Sequence, residues 1–474
     1  MKRVLFSILL FNMFGFFVLS QEWTEPVNVS NMSGTDNQPD IFIGNNGIFH
    51  CTWAHKIEEN FWKIFYSRSY DAGINWTEPE DISLNQEKWV ASPHIVSDSE
   101  NNIFISYDFN VGNPQEMHIY LKIYNGIGWS DPINISENMP ISDKNQLVID
   151  HNNRVYIFWH HLSVQGFRPY YRYYENGNWS DVICPVNENL LINDIKVDIN
   201  NNLHCIAPFV VQDYSKYVYL KYDYILNIWN DITEISGLTI LGEDIDTDTS
   251  QNPHVTWWQH TPQTPLINDS TMYRYYEMGT WTIPELVVVD PSEQQIEIDE
   301  NNRVNIFDVE KTENGTMIVH HFKNLNYWQG HIIDESDYNT MHLKVCNYNY
   351  NLQVVYVKQT ITDIEEVFFS NSEIVSSSID YDKQNFKINL YPNPFRKNVR
   401  IYFEIEKTER ILLRIYSMQG ILLNTLVDEY RLRGKFEIIW NGKDKNGKEV
   451  GPGLYLVRLQ SGRNIQSYSV EIIK

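Results

Sequence analysis

Hydrophobic and polar residues alternate with a period of two in many short segments of the chain, as they do in β-strands with one buried face. The segments come in pairs around turns rich in Asn and Asp, and each pair predicts a β-hairpin. Seven such hairpins follow one another: DIFIGNNGIFHCTW, HIVSDSENNIFISY, QLVIDHNNRVYIFW, IKVDINNNLHCIA, DIDTDTSQNPHVTWW, IEIDENNRVNIF and LKVCNYNYNLQVVY. The pattern therefore predicts an all-β chain built on an internal repeat.

Tryptophans recur in phase with the hairpins. They are Trp23, Trp76, Trp129, Trp179, Trp229, Trp281 and Trp328, and they are 53, 53, 50, 50, 52 and 47 residues apart. A third strand lies between each hairpin and the next Trp, as in YYRYYENGNW, and a short strand follows the Trp. Each unit thus supplies four strands, called A, B, C and D in chain order. Four-stranded units at this spacing predict a β-propeller.

The two ends of the repeat predict how the ring closes. Residues 23–30 form a D strand with no A, B or C strand before it. The last unit has A and B strands (342–357) and a C strand (366–371), but no Trp follows them. The N-terminal strand can complete the last blade through main-chain hydrogen bonds. We therefore expect seven blades within residues 21–378, or six if the sixth or seventh unit is not a full blade.

One turn of the repeat carries a distinctive motif, SYDAGINW, in which Ser69, Asp71, Gly73 and Trp76 stand at Ser-x-Asp-x-Gly-x-x-Trp spacing. It resembles the Asp box, or BNR repeat, of sialidase-like β-propellers. The Asp side chain can bond turn N–H groups, Gly73 permits a backbone shape closed to other residues, and Trp76 can pack between blades. The other units keep the Trp but lose the Ser-x-Asp. We therefore expect a structural motif at the C–D turn, on the same face of the ring as the A–B turns.

The N-terminus has the features of a secretory signal peptide. Lys2 and Arg3 precede an apolar run too short to span a bilayer comfortably, and small residues end it at Ser20, where we expect cleavage. No other long apolar run follows, so no transmembrane segment is predicted. The four cysteines, Cys51, Cys184, Cys205 and Cys346, lack metal-ligand spacing. They are interpreted mostly as small buried residues, with a single disulfide left open.

A different module follows the repeat, after a polar linker at 379–387. Residues 388–474 alternate in hydrophobicity between Gly and Asn-Gly turns, which predicts a small antiparallel β-sandwich of immunoglobulin-like type. The segments YPNPF, IYSMQG and WNGKDKNGKEVGPGLY, with the terminal Lys474, resemble the type A C-terminal sorting domain of cargo of the Bacteroidota type IX secretion system. An immunoglobulin-like module such as that of flagellar hook-capping proteins is the alternative. The resemblance implies the secretion machinery as partner and a secreted or cell-surface location.

Charge is divided unevenly between the two modules. Residues 387–474 carry 16 Lys and Arg against 9 Asp and Glu, a net charge of +7, whereas residues 21–386 carry −33. Such an acidic module repels nucleic acids and polyanionic polysaccharides. It favours neutral glycans, cationic partners or calcium, although no cofactor is predicted. We expect a monomer.

Candidate ligand-binding residues lie where the B strands end, on the face opposite the Asp box. Aromatic and imidazole groups there could stack on a sugar ring and bond its hydroxyls. The predicted set is Trp53, His55, Trp159, His161, Arg168, Trp257 and His260. The alternative interpretation of each Trp is packing between blades.

These residues bear on three candidate functions. A sialidase would need three arginines on the substrate carboxylate, but residues 21–386 contain only six, of which only Arg168 is well placed. A polysaccharide lyase could use His160 or His161 with Arg168 and Tyr170 or Tyr171. At most one of the two histidines can point into such a site, because neighbouring residues of a strand face opposite sides. A non-catalytic propeller that binds a glycan or a protein needs only the repeat, the export signals and the rim, and is the favoured hypothesis.

Overall fold

The computed structural model describes residues 20–473, apart from short gaps. The gaps are 60, 84–88, 111–115, 164–165, 212–213, 231, 237–239, 260–269, 290, 313–314, 325–326, 362–363, 376–387, 406, 419–420 and 463. The predicted signal peptide, the predicted linker and Lys474 therefore lie outside the described residues, except for Ser20. Within the described ranges all regular secondary structure is β-strand, which confirms the all-β prediction.

Each of the seven repeats forms one antiparallel sheet in the order A-B-C-D. The A strands are Asp36–Ile43, Val90–Ser97, Ser142–Ile149, Asp194–Val197, Ile240–Thr247, Pro291–Ile298 and Thr340–Tyr348. The B strands are Phe49–Glu58, Ile103–Asn110, Val155–Ser163, Leu203–Val211, Pro253–Gln259, Val304–Lys311 and Asn351–Ile361. The C strands are Phe61–Ser69, Met117–Tyr124, Gly166–Glu175, Tyr214–Asp223, Ser270–Glu277, Thr316–Asn324 and Ile364–Val375.

The D strands are short in most repeats. In chain order they are Glu80–Asp81, Ile133–Asn134, Asn178–Trp179, Ile228–Trp229 with Thr233–Ser236, Thr280–Trp281 with Glu285–Val289, and Tyr327–Ser336. The seventh sheet takes its outer strands from the start of the chain. Ser20–Trp23 and Val27–Asn28 both pair antiparallel with Ile364–Val375. The first and last parts of the repeat therefore share one sheet, as the sequence predicted.

The seven A strands form a closed ring. Each contacts the A strand of the next repeat, and Thr340–Tyr348 contacts Asp36–Ile43. Carboxylates connect several neighbours: Asp40 accepts the N–H of Ile95 at 2.9 Å, and Asp244 accepts the N–H of Ile296 at 2.6 Å. A closed ring of four-stranded sheets is a β-propeller, so this prediction is confirmed, with the A strands around the central channel.

The A–B turns explain the Asn and Asp residues of the repeat. In the third repeat Asp150 accepts the N–H groups of Asn152 and Arg154, both at 2.9 Å, and Asn153 has a φ of 64°. Asn tolerates this left-handed conformation better than most residues. The Asn153 side chain also accepts the N–H of Ser99 at 2.9 Å in the preceding repeat. One turn motif thus shapes a hairpin and joins it to its neighbour.

The C-terminal module consists of two sheets around a common core. One contains Asn389–Tyr391, Val399–Ile405 and Gly434–Trp440. The other contains Glu409–Ser417, Leu422–Arg431, Gly453–Ser461 and Asn464–Ile472. Trp440, fully buried, packs on Phe395 and Tyr455 with ring centroids 5.5 Å apart in each pair. We call this module the sandwich.

All four cysteines are described, and each is a free thiol. Cys51 and Cys205 are buried, Cys346 is partly buried and Cys184 is exposed. In the described part of the chain, no helix has the length and apolarity needed to cross a bilayer.

Candidate functional site

The SYDAGINW turn joins two repeats. The hydroxyl of Ser69 donates to Asp71 at 2.8 Å and accepts the N–H of Gly73 at 2.9 Å, while Asp71 accepts the N–H of Asn75 at 2.8 Å. Gly73 has a φ of 87°, and a Cβ there would lie 2.1 Å from a ring carbon of Phe369 in the seventh repeat. The Trp76 ring meets Phe369 edge-on at 5.6 Å. These contacts hold the first repeat against the last and leave the Asp71 carboxylate bonded within its own turn.

The three tryptophans predicted to bind a ligand are buried. Trp53, Trp159 and Trp257 are 0%, 0% and 1% exposed. Each packs against the preceding repeat: Trp53 on the seventh, Trp159 on the second and Trp257 on the fourth. A fully covered ring offers no face to a sugar, so the packing interpretation replaces the ligand-binding one for these residues.

The histidines of the predicted set differ in environment. His55 is buried, and its Nδ1 lies 2.6 Å from Oδ1 of Asp36. His160 is buried and donates from Nε2 to the carbonyl of Ile192 at 3.0 Å, and burial lowers the pKa of His160 to about 4. His161 is partly exposed, and burial also lowers its pKa. His260 lies outside the described residues.

The catalytic group proposed for a lyase is only partly brought together. Tyr171 is buried and stacks on Phe158 with ring centroids 4.7 Å apart, so it belongs to the core between the third and fourth repeats. His160 is also buried. His161, Arg168 and Tyr170 remain. His161 and Arg168 are cross-strand partners near the loop between the B and C strands of the third repeat, and the Tyr170 ring meets His161 edge-on with centroids 6.0 Å apart. Arg168 is partly exposed.

The other five arginines of the propeller are engaged elsewhere. Arg154 and Arg303 lie in A–B turns, where they contact Glu175 and Asp299. Arg68, Arg172 and Arg274 lie on C strands against the rings of Tyr124, Trp179 and Trp281. This distribution does not supply the three converging arginines of a sialidase.

The A strands are irregular near their first residues, at the end of the channel where the loops between the B and C strands lie. Six of the seven A strands shift register against their B strands near their start. At five of these bulges one residue has a positive φ: Gln38, Ser92, Lys144, Gly242 and His342. Bulges re-aim side chains and are common beside functional sites. Polar groups are therefore presented at this channel mouth.

Glu243 follows one of these bulges and is held by two neighbours. The hydroxyl of Tyr217 donates to its Oε2 and the amide of Asn193 donates to its Oε1, both at 2.5 Å. Burial outweighs these bonds and raises the pKa of Glu243 to about 7. A carboxyl group with this pKa can donate or accept a proton near neutral pH. The exposed Lys144 faces it closely enough to oppose the rise.

Gln294 of the next repeat lies beside Gly242, the residue before Glu243. The residue is 3% exposed, yet neither side-chain amide atom has a hydrogen-bond partner among the described residues. A Cβ added to Gly242, whose φ is 67°, would lie 3.2 Å from Gln294 Nε2. Gly242 therefore permits the close approach. A buried amide without partners is costly unless another group bonds it.

We call Asn193, Tyr217, Gly242, Glu243 and Gln294 the channel-mouth site. It offers a carboxyl group, two amides and a hydroxyl, which suit a ligand rich in hydroxyl groups. None of its residues was predicted as functional. A usable signal was present, because the A strands begin with polar runs such as LGEDIDT and PSEQQIEI that break the alternation expected of a buried strand. In the described ranges no three His, Cys, Asp or Glu side chains are grouped to hold a metal ion.

Comparison with known proteins supports the fold. No protein-family model matches the chain, and no curated protein matches it. An ulvan lyase from a new family of polysaccharide lyases is similar, with a TM-score of 0.51 at 10% identity over 72% of this chain and 95% of the lyase. A Penicillium chrysogenum α-L-arabinanase has a TM-score of 0.44 at 11% identity over 74% of this chain and 99% of its own. At this identity the lyase similarity supports a β-propeller and nothing finer.

Proposed function

We propose that this chain is an exported seven-bladed β-propeller that binds a neutral glycan at the channel-mouth site and does not cleave it. The observation that carries the proposal is Glu243, held between Tyr217 and Asn193, with the adjacent Gly242 against an amide of Gln294 that has no partner among the described residues. Sugar hydroxyls both donate and accept hydrogen bonds, so they can satisfy a carboxyl group and an amide together. The net charge of −33 on residues 21–386 disfavours a polyanionic glycan. A protein ligand for the same mouth is the alternative partner.

Export by the type IX secretion machinery is part of this proposal. It is supported by the N-terminal basic and apolar run and by the sorting-domain motifs in residues 388–474. Two motif residues, Phe395 and Trp440, pack together in the core of the sandwich. The protein would then act in the medium or at the outer cell surface.

A glycan panel tests the binding proposal. The full chain is incubated with immobilised neutral and acidic glycans, and both retention and new reducing or unsaturated ends are measured. We expect retention on a neutral glycan without new ends, and loss of retention in Glu243→Gln and Gln294→Ala. Glu285→Gln, which breaks the partly exposed pair with Lys323 (2.7 Å), is the matched control and should bind normally. Retention unchanged in both channel-mouth variants would contradict the assignment of the site.

A glycan-active enzyme is the second candidate, and one observation favours it. Burial raises the pKa of Glu293 to about 7, as it does for Glu243, and the two residues follow bulges in adjacent A strands. Two carboxyl groups that titrate near neutrality could share acid and base roles. New reducing ends that disappear in both Glu243→Gln and Glu293→Gln would establish this alternative. Unsaturated ends lost in His161→Ala or Arg168→Ala would instead indicate a lyase.

A further inference from the structure

The sixth repeat has an unusually long D strand. Tyr327–Ser336 contains 10 residues. In each of the first five repeats the D strand begins with a segment of only two residues, such as Glu80–Asp81 or Ile133–Asn134. A long outer strand presents a row of unpaired backbone groups that can pair with another strand. This repeat therefore carries an edge that needs a cover.

The sandwich covers the first part of that edge by adding a strand to the sheet. Asn464–Ile472 pairs antiparallel with Tyr327–Ser336, from Trp328 opposite Ser467 to His331 opposite Asn464. At the centre of this pairing, a Cβ on Gly330 would lie 3.1 Å from Cβ of Ile465. Ile465 is 1% exposed and packs with Met317, Val319 and Ile332 of the propeller. The strand addition is thus closely packed as well as hydrogen-bonded.

A buried ion pair joins the two modules beside the added strand. Nη2 of Arg458 lies 2.7 and 2.6 Å from the two carboxylate oxygens of Glu310. Glu310 also accepts a hydrogen bond from Nε2 of His321 at 3.2 Å. Arg458 and Glu310 are 8% and 4% exposed. Removal of one partner from such a pair leaves an uncompensated buried charge, which is strongly unfavourable.

Apolar contacts extend the interface on both sides of this pair. Tyr327 of the propeller and Tyr468 of the sandwich stack with ring centroids 4.6 Å apart. Tyr416 and Leu456 of the sandwich share a buried cluster with Leu286 and Val289 of the fifth repeat. The sandwich therefore contacts two repeats, and its net charge of +7 complements the acidic propeller.

We infer that the propeller and the sandwich are binding partners in their own right, so that a cut in the linker leaves a two-chain complex held by the Tyr327–Ser336 edge and the Arg458–Glu310 pair. The proposal does not depend on the glycan. Its consequence is that cleavage between the modules does not by itself free the propeller or expose the edge of its sixth repeat.

A cleavable linker tests this inference. A site for a specific protease is inserted between residues 379 and 387 of the full chain, the folded protein is cut, and the products are separated by size-exclusion chromatography at micromolar concentration. We expect both pieces to elute together at the volume of the uncut protein. Elution of the cut, unmutated pieces in separate peaks would overturn the inference.

Variants on both sides of the interface identify the anchor. Arg458→Met and Glu310→Gln should each weaken the association of the cut pieces by roughly a hundredfold or more. Arg400→Met is the matched control, because Arg400 pairs with Glu437 at 2.6 Å on the exposed side of the other sheet, and its pieces should stay together. Circular dichroism of each uncut variant verifies folding, and Glu310→Gln provides the test if Arg458→Met does not fold. Association unchanged in a folded Arg458→Met or Glu310→Gln would overturn the assignment of this pair.

Discussion

The hydroxyl of Tyr217 donates a 2.5 Å hydrogen bond to Oε2 of Glu243, across the boundary between the fourth and fifth repeats. Tyr217 is 1% exposed and packs in the core between these repeats, so its hydroxyl is fixed against the carboxyl group of Glu243. Burial raises the pKa of Glu243 to about 7 in spite of this bond and that from Asn193. The ionised carboxylate is therefore unfavourable in the folded protein above neutral pH.

Replacement of Glu243 by Gln should stabilise the protein at alkaline pH. A carboxyl pKa raised from 4.5 to about 7 means that the folded state retains a proton that the unfolded state has lost, so stability falls as pH rises between these values. Glu243→Gln removes this penalty, and the Asn193 amide can rotate to present its oxygen. We expect a gain of about 1–2 kcal/mol in the free energy of unfolding at pH 8.5, reduced because the side chain is partly exposed, and little or none at pH 4.5.

Urea unfolding at both pH values measures this effect. Glu285→Gln serves as the control, because Glu285 lies in a partly exposed pair and should show no comparable change between the two pH values. A Glu243→Gln variant that gained nothing at pH 8.5 would show that the carboxylate is not penalised in the folded state.

Replacement of Gly73 by Ala should loosen the junction between the first and seventh repeats. The new Cβ would lie 2.1 Å from Phe369, and the φ of 87° is strained for any residue with a side chain. We expect a loss of about 2–4 kcal/mol in the free energy of unfolding. Gly126→Ala separates the two causes, since Gly126 has a φ of 86° but no atom within 4 Å of a new Cβ. It should cost only about 1 kcal/mol, and equal losses in the two variants would rule out the clash with Phe369 as the cause.

Replacement of Trp257 by Ala should act on stability and not on a ligand contact. Trp257 is 1% exposed in the cluster between the fourth and fifth repeats, so its removal leaves a cavity. The expected loss in the free energy of unfolding is about 3–5 kcal/mol. Thermal unfolding monitored by tryptophan fluorescence measures it, with the conservative Trp257→Phe as the comparison that should lose less. A Trp257→Ala variant of normal stability would be inconsistent with the packing role.

Replacement of Lys196 by Met should lower the free energy of unfolding of the protein more at high pH than at low pH. The ammonium group lies 3.1 Å from Asp246 and 3.2 Å from Glu297, whose side chains are 3% and 10% exposed. Burial raises the pKa of Glu297 to about 8, and Lys196 opposes this rise. Without Lys196 the pKa of Glu297 rises further. Ionisation of Glu297 beside Asp246 then costs the folded state more free energy as pH increases. We expect a loss of about 2–4 kcal/mol at pH 8.5 and a smaller one at pH 5.5.

An exposed pair provides the comparison for Lys196→Met. Lys216 lies 2.6 Å from Glu234, which is largely exposed, and Lys216→Met should change the free energy of unfolding by less than about 1 kcal/mol at either pH. An equally small change in the free energy of unfolding for Lys196→Met at pH 8.5 would show that Lys196 does not stabilise the carboxylates of Asp246 and Glu297.

The three tryptophans of the predicted site are buried for a physical reason. Sequence spacing correctly placed Trp53, Trp159 and Trp257 at equivalent positions of their B strands. A residue type can recur at one position of a repeat because it packs between the sheets, without binding any ligand. These rings fill the gaps between neighbouring sheets, where large apolar side chains are most stabilising. Tyr217 and Glu243 come from different repeats, so no local pattern could show that they meet.

By itself, the sequence determined the β-strands, the period of the repeat, the hairpin turns and the change of module after the repeat. These features depend on alternation along the chain and on the conformations that Asn, Asp and Gly tolerate, which are local properties. The tertiary structure decided which polar groups face the channel, which aromatic rings are covered, and that the sandwich adds a strand to the sixth repeat. Those outcomes depend on which sheets lie side by side and on register shifts such as that at Gly242, and contacts between distant segments set both.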